Sequence, residues 1–119
     1  MKFILIFLFV CLGGQAFSDE KFNKISSEID FLEIVDGYIL VRPLIKLVVQ
    51  NDGSISGKAA FSSVYGKWFW DNGLFCRTLF WGERDLGLNC QLVQHNGEIV
   101  RFTADEGAGA FADFTIEKK

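Results

Sequence analysis

The chain has one proline, one histidine and one methionine, and its 12 lysines and arginines are outnumbered by 15 acids. With a net charge of −3 and no basic patch or stripe, nucleic-acid binding is disfavoured. The lone histidine, His95, stands beside Asn96-Gly97 with no partner set spaced for a zinc site or a Ser-His-Asp device, and reads as an exposed turn residue. EF-hand spacing is absent as well, so Asp105, Glu106 and Asp113 read as solvated loop charges and no metal is expected. After Phe17 there is no second long apolar run, so no membrane span is expected in the remainder. No internal repeat, linker or low-complexity segment divides the chain, which is expected to be a single domain and a monomer.

What is present begins at the N-terminus. Lys2 precedes an apolar run from Phe3 to Leu12, Gly13 and Gly14 break it, and small residues follow. This is the layout of a signal peptide, with cleavage after Ser18 or after Ala16, and the run is short for a bilayer span. Residues 1–18 are therefore expected to be a signal and 19–119 one small domain, periplasmic or secreted. Removing the signal removes Cys11 and leaves two cysteines, Cys76 and Cys90, in a compartment that permits oxidation. A bridge between them would close a loop of about 15 residues, worth roughly 3 kcal/mol in the chain-entropy model. On neighbouring strands their Cα atoms are expected about 5.5–6 Å apart.

One helix is expected over residues 24–36, where Ile25, Ile29, Leu32 and Val35 recur at helical spacing and Gly37 supplies a stop. Ser27 followed by Asp30 resembles a capping box. From Tyr38 onward the pattern changes to short strands, 38–42, 45–50, 54–61, 64–71, 74–80, 88–94, 98–104 and 111–117. Asn72-Gly73 and Asn96-Gly97 between β-rich runs are strong hairpin signals. About eight short strands with brief turns predict an all-β fold, an antiparallel meander or small barrel with one N-terminal amphipathic helix. With Asn72 and Gly73 as the two loop residues, Trp70 pairs with Phe75, Phe69 with Cys76 and Trp68 with Arg77. Trp68, Trp70, Phe75, Arg77 and Leu79 then share one face, and Tyr65, Phe69, Leu74, Cys76 and Phe80 the other.

Gly107-Ala108-Gly109-Ala110-Phe111-Ala112 satisfies G-x-G-x-x-A, but only seven residues follow Ala112 and they read as strand. There is no room for a nucleotide-binding helix, so this is a glycine loop between strands and no cofactor is expected. The longest expected connection, residues 81–87, holds Trp81, Glu83, Arg84 and Asp85 inside the disulfide-closed segment. Arg84 there suits a ligand carboxylate, and Trp81 suits a partner anchor. Arg77 reads as a cation stacked on Trp68 or as part of a site.

Trp68-Phe69-Trp70-Asp71-Asn72-Gly73-Leu74-Phe75-Cys76-Arg77 resembles the pattern W-x-W-x-D-G-x-F-C-R, with Asn72-Gly73 where the pattern has Asp-Gly. Trp81-Gly82-Glu83-Arg84-Asp85-Leu86-Gly87-Leu88-Asn89-Cys90-Gln91 resembles W-G-x-R-D-L-G-x-N-C-Q, and residues 101–109 resemble R-F-T-x-D-x-G-x-G. Together these are similar to a family of short exported bacterial proteins to which the label dihydrodipicolinate reductase is often attached. The resemblance implies export and that label. A reductase of that kind needs a nucleotide-binding domain and a substrate domain and works in the cytoplasm, so no catalytic residue is carried over. The residues themselves imply a non-catalytic exported binding or interaction module. Its candidate surface is Trp68, Trp70 and Arg77 with Trp81, Glu83, Arg84 and Asp85, and it would meet a small organic ligand or a partner protein. The alternatives are a secreted inhibitor of a cell-wall hydrolase or protease acting through residues 81–85, and an enzyme using Asp71, Glu83, Arg84 or Asp85 as acid–base groups.

Overall fold

A computed structural model describes residues 21–119, so the expected signal peptide lies outside the described residues. A two-residue strand β1 (Asn23–Lys24) and a helix α1 (Glu28–Val35) precede β2 (Tyr38–Arg42), β3 (Ile45–Val49), β4 (Ser54–Ala59) and β5 (Ser62–Asp71). Then follow β6 (Leu74–Trp81), β7 (Arg84–His95), β8 (Ile99–Thr103) and β9 (Phe111–Lys118). Each of β2 to β9 pairs antiparallel with its neighbours in sequence, and β9 pairs back onto β2. The result is a closed eight-stranded up-and-down barrel, which leaves no long free sheet edge among the described residues. The twelve-residue β7 pairs with β6 through its first part and with β8 through Leu92–His95, while β1 covers its other edge at Gln94 and His95.

The turns are where local sequence decides geometry. Asn72 and Gly73 have φ of 53° and 79°, the paired positive values of a type I′ turn, and the ladder beyond runs Trp70↔Phe75, Phe69↔Cys76 and Trp68↔Arg77 as expected. Between β3 and β4 the Asp52 carboxylate accepts from the Ser54 backbone N–H at 2.9 Å and from its hydroxyl at 2.6 Å, which holds its pKa below the usual aspartate range. Asn96 Oδ1 accepts from the N–H groups of Glu98 and Ile99 in the β7–β8 turn.

The helix is shorter than its sequence pattern. Ser27 is the N-cap and accepts from Asp30 N–H at 3.2 Å, and the chain turns extended at Asp36. The buried helix residues are Phe31 and Val35, one turn apart, whereas Ile29 is 71% exposed and Ile25 is buried outside the helix, its N–H bonded to Val93 O. Of the expected stripe, Ile25, Leu32 and Val35 join the core and only Ile29 turns to solvent, because α1 lies across one barrel end and drives the Phe31 edge inward. Phe31 is fully buried, with its ring 5.1–5.4 Å from those of Trp68, Trp70 and Phe75. The core continues from there along the inner strand faces through Leu40, Val49, Ile55, Val93, Val100, Phe102 and Phe114.

Two further expectations are corrected. Residues 81–87 are no long loop: Trp81 pairs with Arg84 across a two-residue Gly82-Glu83 turn, and β7 begins at Arg84 with a bulge at Leu86. The disulfide Cys76–Cys90 is present, but its Cα atoms are 3.9 Å apart, because the two cysteines oppose each other directly across the β6–β7 ladder.

Candidate functional site

The register places Trp68, Trp70 and Arg77 on the inner face, yet of the three only Arg77 lines the cavity in the bore. Trp68 is buried and its indole N–H donates to Gln50 O at 2.8 Å; both tryptophans pack on Phe31 at the helix end. Beyond this plug the bore holds a cavity of about 280 Å³. Its walls include Leu47, Ile55, Phe75, Leu79, Phe102 and Phe114, and it extends to Ala110 and Phe111 at the barrel end opposite α1. Only two of the lining residues, Arg77 and Gln91, carry polar side chains, and none is acidic.

The space owes something to two glycines on the strands around it. A Cβ on Gly57 would stand 2.0 Å from Lys46 O, and one on Gly66 would stand 1.9 Å from Thr78 O. The strands close in there, and the cross-strand partners Leu47, Ile55 and Leu79 become cavity wall.

Arg77 is half-buried and donates one hydrogen bond, at 2.9 Å, to the carbonyl of Gly87. Gly87 sits at φ 78° in the β7 bulge, and its N–H is held by Asp85 Oδ1 at 2.8 Å. Asp85 therefore positions the backbone group that anchors Arg77. Among the described residues the one ion pair is Arg101–Asp113, so Arg77 has no carboxylate partner there. Desolvation pulls its guanidinium below the ordinary arginine value without making it neutral. Gln91 Nε2 lies 3.3 Å from Asn89 Oδ1, and Asn89 in turn exchanges two hydrogen bonds with Asp105, at 2.8 and 3.1 Å. Asp105 is thus an exposed acid with a fixed partner on the next connection, not a freely solvated charge.

The remaining candidates fall elsewhere. Trp81 is 37% exposed at the far end, with its indole N–H bonded to Ala59 O at 3.0 Å, and Glu83 and Arg84 are exposed beside it. Asp71 flanks the Asn72-Gly73 turn at the helix end, so it does not converge with Glu83, Arg84 and Asp85. His95 is half-buried at the end of β7, with Nδ1 out of solvent, so it is not the exposed turn residue expected. Asp113 belongs to the bidentate pair with Arg101, whose guanidinium is stacked 4.1 Å from Phe22 and 4.2 Å from Phe111. The glycine loop leads through a tight turn at Asp105–Gly107 straight into β9. Among the described residues no group of three His, Cys, Asp or Glu is placed to hold a metal ion, and no helix is long and apolar enough to cross a membrane.

The hairpin register was enough to put Arg77, Phe75 and Leu79 on one face. Gln91, Phe102 and Phe114 were out of its reach, because they join that face only when β7, β8 and β9 close the barrel. A comparison of the chain with family models, with curated proteins and with solved structures found no match.

Proposed function

We propose that this chain is a non-catalytic, exported binding module whose barrel takes a small amphipathic carboxylate, with the apolar part in the bore and the carboxylate on Arg77. The observation that carries this reading is an apolar cavity whose single charge is an arginine without an acidic partner among the described residues. Such a group is unfavourable in an empty apolar site and becomes favourable when a carboxylate meets its free N–H donors. Gln91 adds an amide beside it. A cavity near the small end of the usual range for ligand sites suits a short-chain or single-ring acid. Export is supported by the N-terminal pattern and by a disulfide that cytosolic reductants would keep open.

The test is calorimetric titration of the mature, oxidised protein with octanoate and with octanol. Octanoate should bind, and Arg77→Met should weaken it about tenfold or more while changing octanol little, as expected for one charged hydrogen-bonded contact. Equal loss of both, or no octanoate binding, would refute the reading. Native mass spectrometry of protein taken from its own compartment would identify a retained acid directly. The inhibitor reading has less support: the 81–85 segment is a tight turn whose Trp81 is tied to β4. An acid–base enzyme has less support, because no acid lines the cavity among the described residues, and the reductase that the family label implies would need a nucleotide-binding domain beside a substrate domain.

A further inference from the structure

The barrel end opposite α1 carries residues that neither the core nor the bore accounts for. Leu44, at the β2–β3 turn, is 78% exposed, and Phe61, at the β4–β5 turn, is 98% exposed. Each turn places a non-glycine residue in the left-handed region, Leu44 at φ 67° and Ala60 at φ 54°, where glycine is the residue of least cost. The two tips are joined by a 2.7 Å hydrogen bond from Ala60 N–H to Leu44 O. A shallow groove of about 530 Å³ lies against them, lined among others by Leu44, Ala60, Thr115 and two outward cations, Lys46 and Lys58, with no acid; Arg42 also borders it, with its guanidinium turned 5.7 Å over the inward Phe114 ring. Lys46 and Lys58 are directly opposed across β3–β4, a placement that like charges disfavour. Of the acids of this end, Glu83, Asp85, Asp105 and Glu106 sit on or beside the other two connections, with Asp85 and Asp105 hydrogen-bonded there, and Asp113, two residues before Thr115 on β9, is neutralised by its pair with Arg101.

We propose that this end is a membrane-docking surface. Leu44 and Phe61 enter the apolar edge of a bilayer, and the groove of Lys46 and Lys58 receives the phosphate of an anionic phospholipid headgroup. Two apolar turn tips beside a cationic groove reproduce the layering of an interface, hydrocarbon below and phosphate above. A stable protein interface instead calls for about 800 Å² of matched surface on each partner. The cavity reaches Ala110 and Phe111 at the same end, so docking would bring its mouth to the source of an amphipathic ligand. The docking inference stands whether or not the cavity holds a carboxylate.

Co-sedimentation of the mature, oxidised protein with vesicles of phosphatidylcholine, alone and mixed with phosphatidylglycerol, tests it. Binding should require phosphatidylglycerol. Phe61→Ser should weaken it about tenfold or more, and Lys46→Gln and Lys58→Gln about fivefold each. Leu44→Gly removes the side chain while relieving the backbone, so its loss of vesicle binding without loss of thermal stability separates docking from folding. Octanoate affinity in solution should be unchanged in all four variants. No sedimentation with phosphatidylglycerol vesicles would overturn the proposal. So would inorganic phosphate saturating Lys46 and Lys58 without vesicle binding, or a solution dimer abolished by Phe61→Ser.

Discussion

Gly66→Ala is the sharpest test of how this barrel closes. Gly66 lies on β5 between Ile55 of β4 and Leu79 of β6. An added Cβ would stand 1.9 Å from Thr78 O, 2.9 Å from Thr78 C and 3.0 Å from Leu79 Cα. All three are backbone atoms, so no rotamer change relieves the contact; the nearest is about 1.4 Å short of a C···O separation of ~3.3 Å. The β5–β6 ladder is pinned by eight residue pairs, so the strain cannot be released by a local slip. Overpacking costs typically about 1–3 kcal/mol, and a backbone-on-backbone clash belongs at the top, at about 3 kcal/mol. For a domain of this size that is a fall in Tm of roughly 12–24 °C. The comparison is Gly97→Ala, at φ 95° with nothing within 4 Å of the added methyl, which should cost about 1–2 kcal/mol from left-handed backbone alone. Urea denaturation of both variants, with circular dichroism and tryptophan fluorescence, measures the two costs. If Gly66→Ala loses no more stability than Gly97→Ala, the argument from close strand approach is wrong.

Other perturbations follow from the same geometry. Replacing both Cys76 and Cys90 by Ser should lower stability by about 3 kcal/mol, and a reductant should do the same to the wild-type protein in a thermal melt. Phe31→Ala empties the helix plug among Trp68, Trp70 and Phe75 and should cost about 3–5 kcal/mol, with a shift in tryptophan emission. Asp52 has a folded-state pKa below its unfolded value, so its contribution is present above the unfolded value and is lost as pH falls through the folded one. Asp52→Asn should therefore reduce the acid-side slope of the stability curve, and an NMR titration should place the Asp52 carboxyl below the usual aspartate range.

The sequence by itself determined the parts of this protein that local chemistry controls. Asn72-Gly73 can hardly be anything but a two-residue hairpin turn, and the period-2 side-chain alternation then puts Trp68, Trp70 and Arg77 on one face. With Cys76 opposite Phe69, the same register left Cys90 as the natural partner on the next strand. The alternating runs between turn signals marked all eight strands of the barrel, because each turn residue acts within a few positions of itself. What the sequence left open depends on atoms far apart in the chain. Whether the Trp68–Arg77 face would be filled or hollow was decided only when α1 packed Phe31 onto the tryptophans and left Arg77 beyond the plug. The apparent loop at residues 81–87 became a hairpin with a bulge, because pairing with β6 claimed residues whose charges read as solvent-exposed. Its part in the site is indirect, through Asp85 and the Gly87 carbonyl that holds Arg77. Gln91, Phe102 and Phe114 entered the cavity only through ring closure by β9 on β2. Periodicity assigns a side chain to one face of its own strand, and only the closed barrel decides which faces meet and what space is left between them.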